Sequence, residues 1–326
     1  MNVPEDTLNW LLAGEPWVAW RSRVVLLNQP ADSPDVMESH QAVLDSSDIS
    51  TLVSQLVDWP APLLNSHKSA SHPLHLLSFL VDIGLTANDS GMSHVIERIF
   101  AHQCAQGPFQ MIGNISPKYG GSGQDVYAWA LCDAPLVLYS LVKLGLAEDA
   151  RVKTAIKYLV DLVRENGWPC AVSPELGKWR GPGRKDDPCP YATLVMLKLL
   201  AEVTEYANSS QTKIGTETLL SLWQHSLEQH PYIFYMGKDF RKLKAPLVWY
   251  DILHVADVLS HFTFLRTDPR LREMMQIMQT KADENGRYTP ESTYQAWKGW
   301  DFGQKKVPSR YVTLRVMEIS QRIGDS

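Results

Sequence analysis

Residues 191–202 read Tyr191-Ala192-Thr193-Leu194-Val195-Met196-Leu197-Lys198-Leu199-Leu200-Ala201-Glu202, a run that is apolar on nearly every side. A helix with that pattern is buried all round rather than along one stripe. Pro190 stands just before it, where the first turn of a helix has no partner for an N–H and a proline costs nothing. Val126 to Val142 has the same character and is expected to be another buried helix, kinked or split at Pro135. Between the two, Arg151 to Arg164 sets Val152, Ile156, Leu159 and Val163 on one stripe, with Lys153, Lys157, Asp161 and Arg164 opposite. That is a half-buried helix. Buried and half-buried helices in alternation predict two concentric layers. No strand-like alternation of any length is expected.

Working outward, short Gly-aromatic turns recur at Gly107-Pro108-Phe109, Gly167-Trp168 and Gly286-Arg287-Tyr288. Their spacing is one and then almost two periods of about 60 residues, and the turn missing from the series falls at Gln229-His230-Pro231-Tyr232. Buried helices are expected to begin near His72, Val126, Pro190, Trp249 and Arg310. The fold expected is therefore all-α, a closed body of helix-pair repeats over residues 66–326. Residues 1–65 fit the period less well and read as a helical extension packed on the ring or completing it. Pro16 is placed to start a helix over Trp17 to Leu27.

The net charge of −5 argues against a nucleic-acid partner. No apolar stretch is long enough for a transmembrane segment, and no signal peptide is recognisable at the N-terminus. Four cysteines in 326 residues do not make a disulfide framework, so a cytoplasmic protein with free thiols is expected, and a Cys170–Cys189 disulfide is disfavoured.

Charge is unevenly distributed. The loops 110–125, 169–189, 235–248 and 289–310 each lead into a buried helix and together hold 13 basic and 7 acidic residues, leaving −11 for the rest of the chain. Helix N-termini add unpaired N–H groups at the same end, which favours anions. An anion site is expected at the mouth of the ring, from Arg180, Arg184, Lys185, Arg241, Lys244, Lys305 and Arg310. The alternative is a solvated rim with no ligand. The densest loop, Gly177 to Tyr191, has glycines and basic residues but not the spacing of a nucleotide P-loop.

Asp187-Pro188-Cys189 opens a buried helix, with Arg184 and Lys185 before it and Tyr191 after it. In this respect, and in its Gly-aromatic turns, residues 70–320 resemble the α/α toroid shared by terpenoid cyclases and protein prenyltransferase β subunits. The resemblance implies zinc held by Asp187 and Cys189, with Arg184, Lys185 and Tyr191 at a prenyl diphosphate. It also implies a third ligand at the start of the next buried helix. There the sequence has Asp251, with His254 one turn on, so the metal set expected is Asp187, Cys189 and His254. Cys189, Asp187 and Asp251 are the catalytic candidates. The Asp-x-Asp-Asp and Asp-Asp-x-x-Asp motifs of the cyclases are absent.

Three functions stay open at this point. One is transfer from a prenyl diphosphate or another lipid phosphate. The second is an α/α barrel acting on an acidic sugar through carboxylates such as Asp251 with Asp187 or Asp301. The third is a non-catalytic scaffold for an anionic partner protein. His72 and His75, at i and i+3, read as capping or packing residues.

Overall fold

The computed structural model describes residues 4–179, 181 and 183–324. In chain order the α-helices are α1 (Glu5–Leu12), α2 (Pro16–Arg21), α3 (Pro34–Leu44), α4 (Ser47–Ser54), α5 (Pro73–Asp82), α6 (Met92–Phe100), α7 (Ala134–Leu141), α8 (Ala150–Val160), α9 (Pro190–Leu200), α10 (Ser210–His225), α11 (Ile252–Ser260), α12 (Pro269–Gln279) and α13 (Arg310–Gly324). Strands β1 (Met111–Gly113) and β2 (Val126–Ala128) pair antiparallel, with Ile112 opposite Tyr127. The helical class read from the sequence is borne out. No helix among the described residues is long and apolar enough to cross a membrane.

The chain divides into two compact units. One comprises residues up to Thr51, Asp82–Gly84 and Met236 onward; the other comprises Leu52–Val81 and Leu85–Tyr235. In the second unit every residue of α9 is buried, as is every residue of α7. These two helices pack on each other, α8 packs on α7, and α10 packs on α9. α8 buries only Val152, Ala155, Ile156, Leu159 and Val160, the stripe of a half-buried helix. The one cation inside α9, Lys198, donates to Ser78 Oγ at 3.1 Å and lies 4.4 Å from the Tyr139 ring centroid. In the first unit α11 is buried throughout and packs on α12 and α13. α12 covers it with Leu271, Met274, Met275 and Met278.

One expectation is corrected. Val126 does not begin a helix: Val126–Ala128 is a strand, and the helix starts at Ala134. The apolar run covers both elements without a break in composition. The later start puts Pro135 in the first turn, where it neither kinks nor splits anything.

The turns that end the half-buried helices explain the 60-residue period. Trp168 N–H donates to Thr193 Oγ1 at 3.1 Å, and Cys189 N–H donates to the Trp168 carbonyl at 2.7 Å. In the other unit Tyr288 N–H donates to Thr313 Oγ1 at 2.9 Å, and Ser309 N–H to the Tyr288 carbonyl at 2.9 Å. Each pair of bonds ties an aromatic turn to the start of the next buried helix. Gly167 is required in its turn, because its φ is +102° and a Cβ there would stand 2.8 Å from Thr218 Oγ1.

Four buried helices open on a side chain that accepts one of their own N–H groups. His72 Nδ1 accepts from Leu74, Cys189 Sγ from Ala192, Asp251 Oδ1 from His254 and Ser309 Oγ from Val312. Capping of this kind satisfies donors that the helix itself leaves unpaired.

Candidate metal centre

The cap at Cys189 is part of a group of three thiols. Leu131 N–H donates to the Ala171 carbonyl at 2.9 Å and Ser173 N–H to the Trp129 carbonyl at 2.8 Å. This short pairing lays the segment before α7 along the segment after Trp168, and so brings Cys132 beside Cys170. The bond from Cys189 to Trp168 brings in the third. The sulfurs of Cys132, Cys170 and Cys189 all lie within 4.8 Å of one another. Cys132 and Cys189 are 3.8 Å apart and buried, while Cys170 is half-buried. All three are free thiols.

The group is electrostatically uneven. Hydrogen bonds from Cys132 and Cys189, together with the Gly181 N–H at 2.9 Å, lower the Cys170 thiol to about 3. Its hydrogen bonds to Cys170 and Cys189, and then burial, push Cys132 well above the usual thiol range. Of the three, Cys170 is thus the thiol whose surroundings most favour ionisation. Metal ions bind thiolates and release thiol protons.

The donors fit zinc. Tetrahedral zinc with Zn–S bonds of about 2.3 Å holds its sulfurs about 3.8 Å apart. Cys132 and Cys189 already stand at that separation. His67 Nε2 is buried without a hydrogen-bond partner, 3.8 Å from Oδ2 of Asp133, the residue after Cys132. The other expected ligands lie elsewhere. Asp187 Oδ2 accepts the Arg184 N–H at 3.0 Å in a local turn and is not in the thiol group. His254 belongs to the other unit, where its Nδ1 lies 2.9 Å from the Trp249 carbonyl oxygen.

The expected anion-binding residues are divided between the units. Arg180 lies outside the described residues. Arg184 and Lys185 are exposed, and Tyr191 is buried with its ring 5.8 Å from that of His67. In the other unit Lys244 Nζ lies 3.4 Å from the Tyr294 ring centroid, and Arg310 Nε donates to the Trp10 carbonyl at 2.9 Å. Arg241 is half-buried and Lys305 exposed. Arg184 lines a groove of about 1280 Å³, whose charged walls are Glu165, Asp187, Glu217 and Glu228 against Arg184 and Lys213. Among the described residues its lining holds more carboxylates than cations.

Asp251 has a different chemistry from Asp187. Its Oδ1 caps α11, while its Oδ2 is buried with no hydrogen-bond partner. Burial raises the carboxyl to about 7, against the opposing pull of the His254 N–H and Lys244. The hydroxyl of buried Tyr294 is likewise unpaired, and burial followed by the Asp251 charge raises it well above its usual range. A carboxyl held near neutrality is suited to proton transfer. Asp301, the other carboxylate considered, accepts from Ser309 Oγ at 2.8 Å and from Tyr311 N–H at 3.1 Å. Burial raises it too.

Sequence reading missed Cys132 and His67, though Cys170 was a further candidate because its loop ends at Cys189, and it missed a buried ionic network in the other unit. Arg315 bridges Asp257 at 2.7 Å and Glu318 at 2.9 Å. Arg21 meets Glu318 and Arg322 meets Asp257, both at 2.6 Å. Arg315, Glu318 and Arg322 follow one another at i, i+3 and i+7 along α13, a signal present in the sequence. For the thiols the signal was positional: Cys132 and Cys189 are 57 residues apart, close to one period, and precede successive buried helices.

No protein-family model matches the chain, and no curated protein is similar to it. A crystal structure of a protein from Actinoplanes is similar with a TM-score of 0.43 and 11% sequence identity, over 95% of this chain and 90% of that one.

Proposed function

We propose that the protein binds a zinc ion through the thiolates of Cys132, Cys170 and Cys189. The observation that carries this is the convergence of three free thiols within 4.8 Å. Bound zinc would supply a Lewis acid and a fixed double positive charge there. The chain's own part is to hold the donors. The cap geometry of Cys189 and the paired segments around Cys132 and Cys170 set the sulfurs before the ion arrives. Within the same proposal, the helix pairs follow the α/α toroid plan of terpenoid cyclases and prenyltransferase β subunits. Alternating buried and half-buried helices inside each unit support that plan, as does the hydrogen-bond pattern shared by Trp168 and Tyr288.

Protein purified without chelator should carry about one zinc per chain by elemental analysis, as a single tetrahedral site requires. Cys170→Ser and Cys189→Ala should each lose most of it. A chelator should lower the Tm of the wild type and leave the variants unmoved, since metal at about 100 times its Kd adds roughly 2.7 kcal/mol. Wild type free of metal, and unable to take it up from added zinc, would remove the proposal.

A second reading is a prenyl diphosphate or lipid phosphate ligand, favoured by exposed Arg184 and Lys185, five and four residues before the cap at Cys189. It expects farnesyl diphosphate to raise the Tm, with farnesol and inorganic diphosphate each having a smaller effect. A Tm that none of the three moves would eliminate this reading and leave the metal proposal intact.

A further inference from the structure

We infer that His67 is the fourth ligand of the metal centre and that Asp133 orients its ring, making a closed Cys3His site. The inference rests on the zinc proposal above and adds to it a named ligand and a structural role.

Three observations converge on His67. Its Nε2 is buried without a hydrogen-bond partner, and a buried ring nitrogen left unpaired is costly unless something ligates or accepts from it. The same nitrogen lies 3.8 Å from Asp133 Oδ2, beyond hydrogen-bond range but close enough to close on a small turn of the ring. Its ring also packs 5.8 Å from Tyr191, two residues after Cys189, while Asp133 directly follows Cys132. His67 therefore contacts residues that are sequence neighbours of two of the thiols, and it is close enough to the third, Cys170, to act on it electrostatically.

Metal-bound histidines commonly give their second ring N–H to a carboxylate, which fixes the tautomer and the ring plane. Here Nε2 faces Asp133, which leaves Nδ1 for the metal. Asp133 is itself held in place, because its Oδ1 accepts the Ala130 N–H at 2.9 Å at the start of α7. The backbone of His67 is fixed as well: its carbonyl lies 3.0 Å from His75 Nε2, on α5.

Four protein ligands leave no open position, which is the hallmark of a structural zinc site rather than a catalytic one. The metal would fasten the segment holding His67 and the loop holding Cys170 to the starts of α7 and α9.

Cobalt(II) titration of the full-length protein tests this, because thiolate-to-cobalt charge transfer and the visible ligand-field bands report separately on sulfur donors and on geometry. Wild type should show both, with the ligand-field intensity of a tetrahedral site. His67→Ala should keep the charge-transfer band, change the visible bands, and weaken binding by roughly 10-fold or more. His67→Cys should restore a tetrahedral spectrum, with an added sulfur contribution. Asp133→Asn should weaken binding roughly 10- to 100-fold, as loss of an outer carboxylate does elsewhere. If His67→Ala binds cobalt with wild-type affinity and an unchanged visible spectrum, His67 is not a ligand and the three-thiol proposal stands alone. If wild type shows no thiolate-to-cobalt band, the zinc proposal itself fails.

Discussion

Arg315→Met should destabilise the protein by about 3–5 kcal/mol, the usual cost of breaking a buried ion pair by removing one partner. Arg315 is 2% exposed and bridges Asp257 and Glu318. Without it those carboxylates keep Arg322 and Arg21, but each loses a buried cation for which water cannot substitute. The same cations hold the Asp257 carboxyl far below the usual range despite its complete burial. Methionine preserves much of the volume of the stem, so the loss measures charge rather than a cavity. Urea unfolding would report it as a lower midpoint at constant slope. The double variant Arg315→Met, Glu318→Gln should cost less than the sum of the two single changes, because the second removes a charge that the first has stranded. A single-variant loss below about 1 kcal/mol would mean that the network is solvated and contributes no more than a surface pair.

The second large effect depends on pH. Asp251→Asn should stabilise the protein at pH 8 and do little below pH 4. Burial raises the Asp251 carboxyl from 3.8 to about 7 in the folded chain. The folded state therefore holds a proton that the unfolded state has released across that interval. The associated stability is fully present below pH 4, is lost as pH rises, and is gone above the folded value near 7. A shift of that size corresponds to about 4 kcal/mol between the two limits. Asparagine carries no charge to desolvate and can still accept the His254 N–H through its Oδ1. Melting curves from pH 3 to pH 9 should show wild type declining relative to the variant, with the gap opening between about pH 4 and pH 7 and staying constant above. Parallel curves would show that Asp251 titrates normally and would remove it from consideration as a proton-transfer group.

How much of this could be read from the chain depended on whether the pattern was local. α9 is apolar at almost every position, and nothing but complete burial accounts for it. The 60-residue spacing was visible because the turns repeat Gly-aromatic pairs, and those pairs make the same bonds at Trp168 and Tyr288. Val126–Ala128 was misread because valine, tyrosine and alanine suit a strand and a buried helix equally, and the apolar run continues into α7 without punctuation. The capping role of Cys189 is a one-turn property and could be anticipated. Its neighbours Cys132 and Cys170 come together only through backbone pairing between residues some 40 apart in sequence, which no local pattern encodes. His67 is further removed still, in a loop with no periodicity. The Arg315 network was concealed by its spacing, since charges at i, i+3 and i+7 ordinarily mark a solvated helix face, and here that face is buried.

The side chains that open the buried helices have a consequence for how such a protein changes over time. At four of these positions an imidazole, a thiol, a carboxylate and a hydroxyl perform one local task, accepting a backbone N–H from the first turn. The fold asks for an acceptor there and does not dictate which. A mutation among them exchanges ligand, nucleophile, acid or neutral donor while the helix start is preserved. Chemistry at these sockets can thus be rewritten one residue at a time, and lineages that share this scaffold are free to diverge in reactivity faster than in shape.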